Sequence, residues 1–173
     1  LKIIPRRITP NQVTIFRIVA TPFVLWLVLA GKYSVAIPVF LFVALTDAID
    51  GAMARTRNQI TEWGILYDPV ADKLLIGSLV IALAARFLHL SVAVIVVAIE
   101  FLFILAGYLR KRRGHVTAAN AWGKTKMFLQ VVGVLFLLMA MQYQMSPLLL
   151  WFSLASFALA IVFAIVSLIT HGL

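Results

Sequence analysis

Residues 46–75 read TDAIDGAMARTRNQITEWGILYDPVADKLL, and the acidic residues in this stretch decide how the chain folds. Asp47, Asp50, Asp68 and Asp72 are four of the six acidic residues in the chain, and all lie inside apolar runs long enough to cross a membrane. Carboxylates are costly at bilayer depth, so those found there are as a rule functional. Asp47, Asp50, Gly51, Ala54 and Arg55 are offset by 0, 3, 4, 7 and 8, which is one continuous helical stripe. Gly64, Asp68 and Asp72, offset by 0, 4 and 8, form a second. A turn near Gln59 makes the two helices a hairpin, with Asp50 opposite Asp68 and Asp47 opposite Asp72. Four convergent carboxylates with little basic charge among them ask for divalent cations.

Composition sets the medium around the hairpin. Apolar residues make up 64% of the 173 and charged residues 12%, whereas in soluble domains roughly a quarter of residues are charged. This suits one helical membrane domain over residues 1–173, preceded by a basic juxtamembrane segment at 1–13. The absence of cysteine excludes a disulfide framework and thiol chemistry. Nothing reads as a cleavable signal peptide. Hydropathy gives six spans, at about 14–30, 34–55, 63–86, 91–110, 123–144 and 147–169, each near the roughly 20 residues a bilayer needs. Gly31, Gly114 and Pro147 punctuate the short loops.

Basic residues orient the bundle. Lys2, Arg6, Arg7, Arg17, Arg55, Arg57, Arg110, Lys111, Arg112, Arg113, Lys124 and Lys126 fall on one side, and only Lys32 and Arg86 on the other. This asymmetry places both termini, and the open end of the Asp hairpin, in the cytoplasm. The net charge of +9 is then a cytoplasmic rim that attracts anionic lipid head groups and phosphorylated metabolites. It does not point to nucleic acid, because it borders a membrane and no soluble recognition fold accompanies it. Trp and Tyr near the span ends read as interface anchors.

The hairpin carries a definite chemistry. Two divalent ions held by shared carboxylates can clamp a pyrophosphate and stabilise the attacking and leaving oxygens. Gly51 lets a ligand approach the helix backbone closely. Arg55, one turn on, is placed to hold a phosphate or a carbonyl. A fourth carboxylate can accept the proton of an attacking hydroxyl. Asp-lined helices also occur in cation transporters, where acids mark an ion path. Here the carboxylates cluster toward one side of the bilayer and the basic rim repels cations, which disfavours that reading.

The full spacing is Asp-x2-Asp-Gly-x2-Ala-Arg-x8-Gly-x3-Asp-x3-Asp. It resembles the signature of the CDP-alcohol phosphatidyltransferase family, with every fixed position present. Asn11-x2-Thr14-x2-Arg17 is similar to the segment that opens the family's first span. Ala71-Asp72-Lys73-Leu74-Leu75 and Trp122-Gly123-Lys124-Thr125-Lys126 look like its phosphatidylglycerophosphate synthase branch. The resemblance implies an all-α, polytopic membrane protein of six transmembrane helices, working in a bacterial inner membrane and usually as a homodimer. It implies binding of CDP-diacylglycerol, transfer of its phosphatidyl group to a small alcohol, and release of CMP with two Mg²⁺ or Mn²⁺ ions. Asp47 and Asp68 would bridge the ions, Asp50 would complete one site, and Asp72 would ligate the other ion and act as base. Gly51, Arg55 and Thr61 would hold the CDP part, with Asn11 and Thr14 nearby.

One part of the resemblance fails. The synthase branch carries an Arg-Glu pair in its fourth span and an Arg seven residues on, on the acceptor-phosphate side. Those positions are Ile99, Glu100 and Gly107 here. Arg110, Lys124 and Lys126 are the remaining candidates to hold an acceptor phosphate. The expected acceptor is glycerol 3-phosphate, with phosphatidylglycerol (giving cardiolipin) or an inositol phosphate as alternatives.

Overall fold

The computed structural model describes residues 9–56, 62–87, 94, 98 and 121–170; at 47–56, 62–69 and a few helix ends the description covers the backbone alone. Five helices account for nearly all of these residues: α1 (Pro10–Leu29), α2 (Tyr33–Thr56), α3 (Glu62–Phe87), α4 (Ala121–Gln142) and α5 (Pro147–Thr170). No strand occurs among the described residues. They are helices at the positions of five of the six expected segments, to within a few residues. The span at 91–110 and the turn near Gln59 lie outside the described residues, apart from Val94 and Ala98, which are helical.

The start of α1 differs from the hydropathy reading. Thr9 caps the helix through a reciprocal pair: its side chain accepts from the Gln12 N–H at 3.4 Å, and Gln12 Oε1 accepts from the Thr9 N–H at 3.0 Å. Pro10, with its preset φ and no N–H to satisfy, occupies the first turn. The helix therefore begins four residues before the apolar run. It ends at Gly31, whose φ of +71° closes the helix. The Gly31 N–H reaches the Val28 carbonyl at 3.0 Å and the Lys32 N–H the Leu27 carbonyl at 2.9 Å, a Schellman closure. The end of α4 closes in the same way without glycine. Gln144 (φ 52°) and Met145 (φ 63°) take left-handed conformations, and the Met145 N–H reaches the Ala140 carbonyl at 2.8 Å.

The chain divides into two compact units, residues 1–82 and 83–173. In the first, α1 packs along α2, and Phe16 meets Phe42 edge-on at 6.1 Å. Val24, Leu27 and Val28 of α1 and Ala36, Phe40 and Val43 of α2 are buried at helical spacing. Lys32, in the turn, lies over the Trp26 ring at 5.1 Å, a pairing suited to an interfacial position.

In the second unit α4 and α5 form an antiparallel pair. Trp122 stacks on Phe163 at 5.6 Å, Phe136 on Phe152 at 5.4 Å, and Ser153 Oγ donates to the Gly133 carbonyl at 2.9 Å. The inner face of α5 is small: Ser153, Ser156, Ala160 and Ala164 are buried, while Leu148, Trp151, Leu159, Val162 and Ile165 are exposed. Small residues inside and large apolar ones outside is the pattern of helices packing within lipid. A Cβ added at Gly133 would lie 3.1 Å from three atoms of the Phe157 ring. Gly133→Leu is therefore expected to destabilise the detergent-solubilised protein by about 1–3 kcal/mol through overpacking, read as a lowered thermal midpoint. An unchanged midpoint would show that the two helices are not this close.

Three segments among the described residues, Asn11–Leu29, Trp122–Gln142 and Pro147–Ser167, are long and apolar enough to cross a membrane. The chain is an integral membrane protein. In α2 the stretch Tyr33–Thr46 is apolar.

Candidate active site

The inner face of α1 changes character along its length. Thr14, Arg17, Thr21, Val24, Leu27 and Val28 are all buried and follow one another at steps of three or four, apart from the adjacent last two, so they lie on one face. The first half of that face is polar and the second apolar. Asn11, one turn before Thr14, is half-buried. Thr21 Oγ1 donates to the Arg17 carbonyl at 2.8 Å, which ties the two polar turns together.

On α2 the buried face runs Ala36, Phe40, Val43 and Thr46. The helix continues unbroken to Thr56, so positions 47, 50 and 54 follow in the same register, with Gly51 and Arg55 beside them. On α3 the helix is continuous from Glu62 through positions 64, 68 and 72. Both expected stripes thus fall on uninterrupted helix. Asp72 is the member of the Asp set whose side chain is described; it lies one residue after buried Ala71 and is 13% exposed.

Asp72 meets a residue that sequence reasoning assigned elsewhere. Arg17, fully buried, donates from Nη1 to Asp72 Oδ1 in a hydrogen-bonded ion pair that joins α1 to α3 within the first unit. One expectation changes. Arg17 does not belong to the solvated cytoplasmic rim, because none of its surface reaches solvent. It instead supplies a basic partner to one of the four carboxylates. A signal for this was present in the sequence. Arg17 falls inside the first apolar span, and an intramembrane arginine calls for a partner.

The remaining site residues are spread through the chain. Asn11 and Thr14 share the polar half of α1 with Arg17. Gly51 and Arg55 sit on the α2 stripe, where the backbone alone is described. Lys124 is exposed and Lys126 half-buried in the first turns of α4, in the second unit. Thr61, Ile99, Glu100, Gly107 and Arg110 lie outside the described residues. No group of three or more His, Cys, Asp or Glu side chains assembles among the described residues, and the side chains of Asp47, Asp50 and Asp68 are not among them. The donor set the sequence offers is carboxylate oxygen alone, without His or Cys, which fits hard cations such as Mg²⁺ or Mn²⁺.

Comparison with known proteins extends this from a motif to nearly the whole chain. The description of the CDP-alcohol phosphatidyltransferase family matches residues 7–170. The chain belongs to this family. Among curated phosphatidyltransferases it is 32% identical over 146 residues to the CDP-diacylglycerol–glycerol-3-phosphate 3-phosphatidyltransferase of Bacillus subtilis, covering 75% of this chain and 76% of that one. It is 29% identical over 167 residues to the Salmonella typhimurium protein of the same name, covering 92% and 88%. Over a shorter stretch of 75 residues it is 40% identical to a Drosophila melanogaster protein named probable cardiolipin synthase (CMP-forming), covering 43% of this chain and 23% of the fly protein. Membership makes the chain a transferase of phospholipid biosynthesis.

Proposed function

We propose that the protein transfers the phosphatidyl group of CDP-diacylglycerol to the free hydroxyl of glycerol 3-phosphate and releases CMP. The observation that carries this reading is the family match over residues 7–170, with all four Asp positions on two continuous helices. In the reaction the acceptor hydroxyl gives its proton to Asp72, and its oxygen attacks the phosphorus that carries the diacylglycerol. The bond from that phosphorus to the bridging oxygen of CMP breaks, and its electron pair leaves with CMP. Asp47, Asp50, Asp68 and Asp72 would hold two Mg²⁺ or Mn²⁺ ions, which when bound neutralise charge on the pyrophosphate and on the departing oxygen. Asn11, Thr14, Gly51, Arg55 and Thr61 would bind the cytidine diphosphate end. The basic asymmetry supports a site facing the cytoplasm of a bacterial inner membrane, with both termini on the same side. A homodimer belongs to the same reading.

The acceptor is the finer part of the proposal. It is supported by the names of the Bacillus and Salmonella relatives and by the segment around Lys124 and Lys126. A phosphate near a membrane surface needs strong, convergent donors, and Arg110, Lys124 and Lys126 are the candidates. Charge reversal at Lys124 or Arg110 is expected to raise KM for glycerol 3-phosphate by about tenfold or more, the order of one lost charge-assisted hydrogen bond, and to leave CDP-diacylglycerol binding unchanged. A second reading has its own support: Ile99 and Gly107 replace two arginines of the acceptor side, and local identity to the fly protein is 40%. In that reading phosphatidylglycerol is the acceptor.

Both readings are tested by presenting labelled CDP-diacylglycerol with glycerol 3-phosphate, phosphatidylglycerol or inositol phosphate and measuring divalent-dependent CMP release. Faster release with phosphatidylglycerol would overturn the glycerol 3-phosphate assignment. No CMP release with any acceptor would overturn the transferase chemistry proposed for the site.

A further inference from the structure

We infer that Arg17 is a positioning residue for this reaction, holding the Asp72 carboxylate in place and coupling it to the nucleotide-binding turn of α1. The inference rests on the proposed role of Asp72 as base. Three observations carry it. Arg17 is fully buried and its Nη1 donates to Asp72 Oδ1 across 55 residues of sequence. It sits on the buried face of its own helix, with Thr14 buried one turn before it and Thr21 hydrogen-bonded to its backbone carbonyl one turn after. Asp72 is 13% exposed, so its carboxylate is set by protein contacts more than by water.

The physical argument concerns why an ion pair is kept here. Burying a guanidinium and a carboxylate costs desolvation that their attraction only roughly offsets, so a neutral, well-packed pair would hold the fold equally well. What the pair supplies is orientation. Arginine's donors lie in a rigid plane, so the Nη1 contact to Oδ1 restricts the carboxylate in angle as well as distance; lysine is a point charge on a flexible stem and does not. A general base has to meet its proton within hydrogen-bond reach, and misplacement by about 1 Å costs on the order of 10²-fold in rate. Thr14 lies one turn from Arg17 on one rigid helix. A nucleotide bound at Asn11 and Thr14 is thereby registered against the base that acts on the incoming alcohol.

The test is a double-mutant cycle on the full-length protein in detergent, with Arg17→Lys, Arg17→Met, Asp72→Asn and the Arg17→Met/Asp72→Asn pair. Thermal midpoint, kcat, and KM for CDP-diacylglycerol and for the acceptor are read for each. Arg17→Lys keeps the buried charge and is expected to stay folded, to keep both KM values within about twofold, and to lose about 10–100-fold in kcat, the loss usual for a side chain that orients a functional ligand. The double variant removes both charges together. It is expected to recover the thermal midpoint lost in Arg17→Met and to turn over no more slowly than Asp72→Asn alone, because Arg17 acts through Asp72.

Unchanged kcat in Arg17→Lys would reduce the residue to a structural role and overturn the inference. A rise in either KM in place of a fall in kcat would place the guanidinium on substrate and overturn it as well. So would kcat losses that multiply in the double variant. If Asp72→Asn itself turned over at the wild-type rate, the base assignment would fall and this inference with it. The other outcomes remove the Arg17 inference and leave the base assignment standing.

Discussion

Asp72→Asn is expected to lower turnover by about 10²–10⁴-fold, the range for loss of a positioned general base. CDP-diacylglycerol binding should be largely kept. The substitution suits the site because an amide oxygen can still accept the hydrogen bond from Arg17, so side-chain volume and the α1–α3 contact both survive. What disappears is the capacity to take a proton near neutral pH. Asp72→Ala is a poorer experiment. It would leave a fully buried arginine without the carboxylate it now faces, and removing one member of a buried pair costs about 3–5 kcal/mol. Lost activity there would mix chemistry with unfolding. Single-turnover CMP release together with binding of labelled CDP-diacylglycerol separates the two effects. A near wild-type rate in Asp72→Asn would refute the assignment.

Alanine at Asp47, Asp50 or Asp68 is expected to reduce activity by at least about 10²-fold, the upper end of the loss seen when a group merely supporting a metal ligand is removed. The signature should be a joint one: the Mg²⁺ or Mn²⁺ concentration needed for CMP release rises, and CDP binding weakens at fixed cation. The two move together because the pyrophosphate and the carboxylates would share the same ions. Equilibrium dialysis with labelled CDP across a cation titration measures both. An alanine variant whose cation requirement and CDP affinity match the wild type would remove that residue from the set.

The two Asp stripes were legible from sequence because helical periodicity is local. Offsets of three and four residues suffice to put Asp47, Asp50 and Ala54 on one face and Gly64, Asp68 and Asp72 on another, and both segments are helical throughout. The start of α1 was not legible from hydropathy, since Thr9, Pro10 and Gln12 act through hydrogen bonds and a fixed φ, not through apolarity. The end of α4 fell within two residues of the expected span, but its closure was hidden, because Gln144 and Met145 adopt the left-handed conformation that glycine would have announced. Arg17 was misread for a different reason. Counting basic residues by side treats every cation as part of a rim, and periodicity says nothing about a partner on another helix. The glycine and the aromatic residues between α4 and α5 were also silent in sequence. Their contacts depend on register between two helices, which a single chain of letters does not display.

The buried arginine of α1 bears on how the protein enters its membrane. A nascent chain is threaded from its N-terminus, and Arg17 is made 55 residues before Asp72. On insertion scales an arginine near mid-helix costs roughly 2.5–3.5 kcal/mol, and the helix that carries it here has no acidic residue of its own. While α3 is still in the ribosome, the favourable arrangement would be partial: Val24 to Leu29 in hydrocarbon and Arg17 held back at the aqueous boundary. Arrival of Asp72 would then let α1 settle to full depth. The expected consequence is an ordered insertion, with α1 reaching its final depth after α3 has been made, and a chain truncated before Asp72 should leave α1 shallower.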